Sequence, residues 1–399
     1  MWQLSVVVLL AVATGSGFGA NILYIAGVPS PSHFIWHRAL MYGLAAKGHN
    51  VTALSVDIED NPPPDVHFIK IEGVYEALFE EDSEGMDFYA MGELGPCAMV
   101  SMFNEYMVSG CEVALRSEGV RTLVRYPDDF KFDVIINDFL LGPCLSALAQ
   151  HKFGRPPYIG ATAFHGLSST APLSGAYSYS GLIPHNEFDA PEGMSYTERF
   201  MNFLYNHWEE VSKSYQVYDK IDEMVRRINP DIPHVGQIEK DARIILLNSH
   251  PVVQYSEPAM PNVISVGGTN VRSDLLGNDR VVEILNAMEQ LPQYNFLWKF
   301  ESDSMPMKIP KNVHIRKWIP QNDLLAHPNS KLFITHSGLL STQEAIWHGV
   351  PIIGFPAFAD QNRNINYCVQ LGVARRLSLR KINSQDLVTA IRQIMTDQR

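Results

Sequence analysis

Two groups of residues have the types and spacing to act on a substrate. The denser runs from Trp318 to Gln361 and contains Trp318-Ile-Pro-Gln321, then His336-Ser-Gly338-Leu-Leu-Ser341-Thr-Gln-Glu344, then Asp360-Gln361. A strand pattern, Leu332–Thr335, ends at His336; a helix pattern opens after Gly338, carries Ser341 and Glu344 in its first turns, and stops at Gly349. A strand, a glycine-containing turn and a helix N-terminus aim free backbone N–H groups at one point, an arrangement that suits a diphosphate without many cations. Glu344 can accept hydrogen bonds from ribose hydroxyls, Trp318 offers a flat apolar face for a base, and Gln321 can bond the edge of that base. Taken singly each piece is bland: a lone Trp is more often core, and Asp-Gln is usually a helix start.

The second group is Pro31-Ser32-His33 at the start of a helix pattern, with His37 one turn on, and Asp138 at the end of the strand pattern Phe132–Asp138. Moving a proton near neutral pH calls for a histidine, and a neighbouring carboxylate fixes the imidazole tautomer and stabilises its charged form. His33 and His37 compete for that role on these grounds alone. Asp138 by itself reads as a helix N-cap.

The elements that must hold these groups alternate. In the first half, strand patterns fall at Ile22–Ala26, Val51–Val56, Val66–Ile71, Phe132–Asp138 and Tyr158–Ala163; in the second, at Arg243–Asn248, Val263–Val266, Asn295–Phe300, Val313–Trp318, Leu332–Thr335 and Ile352–Phe355. Helical stretches separate them, the rhythm of parallel sheets with helices on both faces. Tyr196 to Ile228 reads as one long helix, and Thr170 to Asp189, rich in Ser, Gly, Pro and aromatics, as a loop. At 399 residues and 46% hydrophobic composition, the chain is long enough for two α/β domains, expected at 21–250 and 251–399.

A formal charge of −12 and no basic run longer than two residues exclude a nucleic-acid binder, since such binding rests on clustered cations. An anionic ligand must then be held by local backbone dipoles. The stretch Leu4–Ala13, apolar and followed by small residues up to Ala20, has the architecture of a secretory signal peptide over residues 1–20, which places the chain in the endoplasmic reticulum lumen. Gly15, Gly17 and Ala20 match a dinucleotide fingerprint, but a strand pattern rather than a helix follows, so the match is accidental. The four cysteines, Cys97, Cys111, Cys144 and Cys368, are too few for a disulfide framework or zinc site and read as mostly buried thiols, although the lumen permits a bridge. Asn50-Val-Thr52 is a glycosylation sequon, making the chain a candidate glycoprotein.

In this order and spacing the motifs resemble the UDP-glycosyltransferase family, and Leu332 to Gln361 looks especially like its insect members. The resemblance implies a GT-B fold of two facing Rossmann-like domains with parallel sheets, the acceptor domain first and the UDP-sugar domain second. It implies that Trp318 stacks on uracil, Gln321 contacts the uridine, His336 and the turn at Gly338 hold the diphosphate, Glu344 takes the ribose, and Asp360 with Gln361 reads the sugar hydroxyls. It also implies that His33, matching the family's Ser-His, is the catalytic base and Asp138 its partner. The co-substrate expected is a UDP-sugar, UDP-glucose ahead of UDP-glucuronate, with no other cofactor and no metal; the acceptor is a small lipophilic alcohol or phenol, in the manner of detoxification. A homo-oligomer is compatible with the family. Ser337 stands where most animal members have Gly, and Leu340 where many vertebrate members carry a diphosphate-binding Asn, so Ser341 is the residue expected to take that contact.

The pattern also breaks. Val266-Gly-Gly268 runs straight into Thr269-Asn-Val-Arg272, whereas in the family about 30 to 40 residues of linker and strand stand between. The donor domain is therefore expected to lack its first strand, and the chain as given stops before the family's final helices and membrane anchor. A catalytically inactive paralogue or splice form that still binds ligand or a partner is the alternative function. An NAD-dependent enzyme would need a glycine fingerprint after a strand, which the chain lacks outside the first 20 residues.

Overall fold

In the computed structural model the described residues are 19–79, 94–164, 166, 170–176, 178–188, 193–249, 260–266, 278–300, 305–357, 360–378 and 381–396. The signal segment up to residue 18 and the junction Gly268-Thr269 lie outside them.

The β-branched runs become strands. They are β1 (Asn21–Ala26), β2 (Asn50–Ser55), β3 (Val66–Lys70), β4 (Val134–Asp138), β5 (Tyr158–Thr162), β6 (Ile244–Leu247), β7 (Val263–Ser265), β8 (Phe296–Lys299), β9 (Val313–Arg316), β10 (Phe333–Thr335), β11 (Ile352–Gly354) and β12 (Ala374–Arg376). Only β12 was not foreseen in the sequence. The helices used below are α1 (Pro31–Ala45), α2 (Pro96–Arg116), α3 (Cys144–Lys152), α4 (Tyr196–Ser212), α5 (Asp219–Ile228), α6 (Asn278–Glu289), α7 (Gln321–Ala326), α8 (Leu339–Trp347), α9 (Gln361–Gln370) and α10 (Ser384–Thr396). The single helix expected over Tyr196 to Ile228 is interrupted by a π-helical stretch, Lys213–Tyr218, between α4 and α5.

Strands β1 to β7 form one sheet in the order β3-β2-β1-β4-β5-β6-β7. β1 pairs in parallel with both β2 and β4, in register Ile22↔Val51 and Ile22↔Val134. Buried on both faces, β1 reads Asn-Ile-Leu-Tyr-Ile-Ala without polar alternation, as a central parallel strand should. The chain leaves β1 in one direction toward β2 and β3 and returns on the other side as β4. In open α/β sheets the ends of two such strands make a crevice for ligands. Here the end of β1 feeds α1 and the end of β4 is Asp138, so topology alone brings His33 and Asp138 together.

The described residues divide into two compact units, one from Met1–Glu80, Tyr106–Ala161 and Val217–Ile245, the other from Glu81–Glu105, Thr162–Gln216 and Leu246–Arg399. The division after Ile245 lies close to the boundary expected at 250, while two earlier segments group with the second unit.

In the second unit, β8 pairs with β9, and β10, β11 and β12 form a separate sheet. A doubly wound sheet has strand order 3-2-1-4-5-6. In that order β9 and β8 take positions 3 and 2, and β10, β11 and β12 take 4, 5 and 6; position 1, which would join β8 to β10, has no strand among the described residues. The break therefore falls at the strand that the sequence junction lacks. Packing persists on either side of it. Ile353 of β11 joins a core with Val281 and Leu285 of α6 and Leu387 and Ile391 of α10, while its neighbour Ile352 points to the other face, against Ala345, Ile365 and Cys368.

One sequence expectation is corrected. Cys111 of α2 and Cys144 of α3 form a disulfide, leaving Cys97 exposed and Cys368 as a buried thiol whose pKa burial pushes up to about 12. The spacing of 33 residues hid the pair. Asn50 of the sequon is the first residue of β2, and its side-chain amide donates to Asn21 Oδ1 at 3.1 Å.

Closing a loop of this size restricts the unfolded chain by about 3 to 4 kcal/mol. The double variant Cys111→Ala/Cys144→Ala is expected to lose about that much stability in urea unfolding, and reductant is expected to shift the parent chain's midpoint but not the variant's. An unshifted parent under full reduction would show that the bridge contributes nothing.

Candidate active site

In the first unit, α1 places His33 and His37 one turn apart on the same face, under Pro31, whose fixed φ starts the helix. Both rings meet Asp138. His37 Nε2 lies 2.8 Å from Asp138 Oδ2, and His33 Nδ1 lies 3.5 Å from the same oxygen. Tyr24 of β1 reaches His37 from the far side, its hydroxyl 2.8 Å from Nδ1. An ionised Asp138 can only accept, so a His37 proton sits on Nε2 and donates to it, and the bond between Nδ1 and the Tyr24 hydroxyl takes its direction from the protonation of the ring. Asp138 Oδ1 accepts from the backbone N–H of Leu140 at 3.2 Å, so the carboxylate also caps the turn Phe139–Leu141.

Burial alone would raise the Asp138 carboxyl, but the charge interaction with His37 and the hydrogen bonds from His33 and His37 outweigh it and hold the group well below the ordinary carboxylate range. Asp138 thus stays anionic wherever the fold persists. Burial separates the two histidines: His37 is 0% exposed, whereas His33 keeps 7%. The tighter bond of Asp138 to His37, and the part of Tyr24, were not visible in the sequence; the i, i+4 spacing of the two histidines was the available signal.

In the second unit, Gln321 opens α7 and reaches α8. Its Nε2 donates to Ser341 Oγ at 3.1 Å and to Glu344 Oε2 at 2.8 Å, so three of the expected donor-site residues are joined directly. Trp318, just before α7, is 57% exposed, an open flat face rather than core. Leu340 is buried, as its type requires, and Ser341 Oγ accepts from Gln321, leaving its own O–H to donate.

The turn His336-Ser337-Gly338 carries β10 into α8. Ser337 holds φ of +68°, the left-handed region that favours glycine. At Gly338 the reason is room: a Cβ would stand 2.5 Å from His336 Nε2. Burial lowers the His336 pKa to about 4, so the ring is neutral at pH 7 and its contribution to an anion is a single N–H. Burial likewise raises Glu344 to about 7 against the hydrogen bond from Gln321, which lowers it.

Three buried polar atoms, His336 Nδ1, Ser337 Oγ and Glu344 Oε1, have no hydrogen-bond partner among the described residues. Orphans of this kind are costly unless a ligand completes them. His336 and Ser337 belong to the turn before α8, whose Gly338 N-cap has no side-chain cap, and Glu344 lies in the helix's second turn. Asp360 and Gln361 are buried at the start of α9, where Asn364 ties Asp360 to the turn: its Nδ2 donates to Asp360 Oδ2 at 2.7 Å and to Ser337 O at 3.0 Å. Asn364 was missed in the sequence, although it lies one turn from Asp360 on the same helix face.

The profile of the family "UDP-glucoronosyl and UDP-glucosyl transferase" matches residues 30–277 and 273–399, two pieces that meet beside the sequence junction. Similar proteins include UDP-glucosyltransferase 2 of Dactylopius coccus, 26% identical over 437 aligned positions that cover 99% of this chain and 81% of that protein. UDP-glucuronosyltransferase 1A6 of Oryctolagus cuniculus is 26% identical, covering 98% of this chain and 79% of its own. Both alignments are longer than this chain, so stretches of each relative have no counterpart in it. Among solved structures, the glycotransferase of kitacinnamycin superposes with TM-score 0.61 at 16% identity over 95% of this chain and 92% of that one. Phytolacca americana UGT2, solved with UDP-2fluoro-glucose and pterostilbene, gives 0.59 at 17% identity, covering 95% and 91%. At these identities the solved structures show the fold alone.

Proposed function

Since the chain belongs to the UDP-glucuronosyl and UDP-glucosyl transferase family and has its GT-B fold of Rossmann-like domains, we propose that its reaction is transfer of a hexose, glucose ahead of glucuronate, from a UDP-sugar to a hydroxyl of a small lipophilic acceptor. The carrying observation is the direct joining of Gln321 to Ser341 and Glu344, with orphaned buried polar atoms on Glu344 and on the His336-Ser337 turn that leads into α8. In this reading Trp318 stacks on uracil, Gln321 meets the uridine, and Glu344 accepts from the ribose. The His336–Gly338 turn and the first N–H groups of α8 take the diphosphate, and Asp360 and Gln361 read the sugar. His33 removes the acceptor proton as the oxygen attacks the anomeric carbon, and UDP departs toward the helix N-terminus, whose dipole meets the charge that develops. Displacement from the opposite face inverts the configuration. The chemistry assigned calls for no metal.

A similar insect protein is named a glucosyltransferase, which supports glucose; pterostilbene in the Phytolacca structure supports a phenolic acceptor. The disulfide and the apolar segment Leu4–Ala13 support the lumen of the secretory pathway. Among the described residues no helix is long and apolar enough to cross a membrane. The divided sheet favours a second reading, a chain that binds UDP without turning over a sugar.

Donor binding is testable on the chain as it stands. UDP at a hundred times its Kd stabilises a folded protein by about 2.7 kcal/mol, a rise of several degrees in Tm, and Trp318→Ala is expected to remove most of it. The rise has a pH dependence. With its pKa raised to about 7, Glu344 keeps a proton that the unfolded chain gives up at lower pH, so the free fold loses stability as pH climbs from the ordinary carboxylate range through about 7. Ribose hydroxyls donating to the carboxylate offset that loss, so the UDP-induced shift is expected to grow from about pH 6 to about pH 8 in the parent and to stay flat in Glu344→Gln. A shift from NAD with none from UDP would overturn the donor assignment.

A further inference from the structure

We propose that His33, His37 and Asp138 form a binding site for a divalent transition-metal ion, Zn²⁺ foremost, and that the bound ion disables His33 as a base. The binding stands on geometry alone; its effect on transfer rests on the function proposed above. The three residues are all buried, and one ligand atom from each lies within 4.8 Å of the others. Two imidazoles and a carboxylate are an ordinary zinc donor set, with bonds of about 2.0 to 2.2 Å. Ligands on such an ion stand roughly 3.3 Å apart in a tetrahedron. Two of the separations here, 3.5 Å for His33 to Asp138 and 2.8 Å for His37 to Asp138, straddle that distance, and the third, His33 to His37, lies within 4.8 Å, so admitting the ion calls for side-chain rotations that draw the rings around it.

Local structure supports the same conclusion. Histidines at i and i+4 on one helix face are the spacing by which helices present two imidazoles to one ion, and here the third ligand comes from the end of the adjacent strand. Two of the three ligands also have outer partners of the kind that orient metal ligands: Tyr24 on His37 Nδ1 and the Leu140 N–H on Asp138 Oδ1.

The protons balance without release. With Nε2 on the metal, the His37 proton moves to Nδ1 and donates to the Tyr24 oxygen, reversing the bond between them. With His33 bound through Nδ1, its proton sits on Nε2, the nitrogen whose lone pair would otherwise take the acceptor proton. Metal and base therefore exclude each other. One carboxylate offsets part of the ion's charge, and a fourth position stays open to water or to an acceptor oxygen.

The test uses the intact chain, freed of metal with a chelator and titrated with Co²⁺ and then Zn²⁺. The expected result is one ion per chain with the visible bands of tetrahedral cobalt, displaced by Zn²⁺, and affinity about tenfold or more weaker in His33→Gln and in His37→Gln. His37 is fully buried and its variant can fail to fold, so nitrogen-15 NMR of the parent's imidazoles supplies a second measurement: saturating Zn²⁺ is expected to move the His33 and His37 ring signals. Unmoved ring signals at saturation, or affinity unchanged in a folded His33→Gln, would assign the ion to surface histidines and overturn the site. The outcomes separate from those for the function, because a chain that binds UDP but not Zn²⁺ sinks only this site, and one that binds Zn²⁺ but not UDP sinks only the donor reading.

Discussion

Inserting a relative's linker and strand between Gly268 and Thr269 is expected to convert a chain with no transfer above background into one that moves glucose from UDP-glucose to a simple phenol. The reason is the order of the second unit's strands. β8 with β9, and β10 with β11 and β12, are two sheets whose members fill every position of a doubly wound sheet but the first. Position 1 is the strand at which the order reverses, and the turn at its carboxyl end borders the ligand crevice. Among the described residues nothing pairs with the edges that β8 and β10 turn toward that position. Donor residues on β10, α8 and α9 keep their local contacts, since Gln321, Ser341 and Glu344 are bonded among themselves and Asn364 binds the turn. UDP binding is thus expected to survive in the parent chain, while catalysis, which needs the anomeric carbon held within a few tenths of an ångström of its attack position, is not. Rate should rise by several orders of magnitude in the repaired chain, and Tm should rise with it. A measurable turnover number from the parent chain would show that the sheet functions as it stands.

Much of this was legible in the sequence because the signals were local. Runs such as Ile22-Leu-Tyr-Ile25 and Val134-Ile-Ile-Asn-Asp138 announce buried parallel strands, and the pattern around Gly338 announces the turn that carries β10 into α8. β12 was missed because Ala374-Arg-Arg376 has no apolar run; it is a strand through pairing with β11, on the sheet's edge. The disulfide, the order of His37 before His33 at Asp138, and the hold of Asn364 on Asp360 all depend on contacts far apart in the chain, or on which face of a helix turns inward. Spacing alone does not decide such contacts. Ser337 lies between these cases: its place in a glycine position could be seen, but the positive φ that makes it costly could not. The stretch from Tyr196 to Ile228 is helical throughout, as expected, but the sequence did not announce the π-helical step at Lys213–Tyr218, beside which Asn104 of α2 bonds both Ser212 and Gln216.

In the repaired chain, His33→Ala is expected to lower kcat by about 10² to 10⁴ with little change in UDP affinity, because general-base catalysis acts in the transition state and the donor residues belong to the other unit. Asp138→Asn should also fall steeply, though less. It removes the anion that stabilises a protonated His33, and it leaves His37 Nε2 with an amide in place of a carboxylate. Burial decides which histidine does the chemistry. His37 shows no surface and has both ring nitrogens engaged, by Tyr24 and Asp138, so its loss is expected to appear first in Tm. His33 is buried less completely, at 7% exposure, and under the proposed role its loss is expected to appear in rate with a smaller change in Tm. Measuring both quantities on the same samples separates the roles. If His33→Ala retained turnover and lost only stability, the residue would be a helix-start histidine and nothing more. If the rate instead collapsed in a folded His37→Gln while His33→Ala kept it, proton transfer would have to run through the buried ring, and the acceptor would have to reach a residue that the static fold encloses.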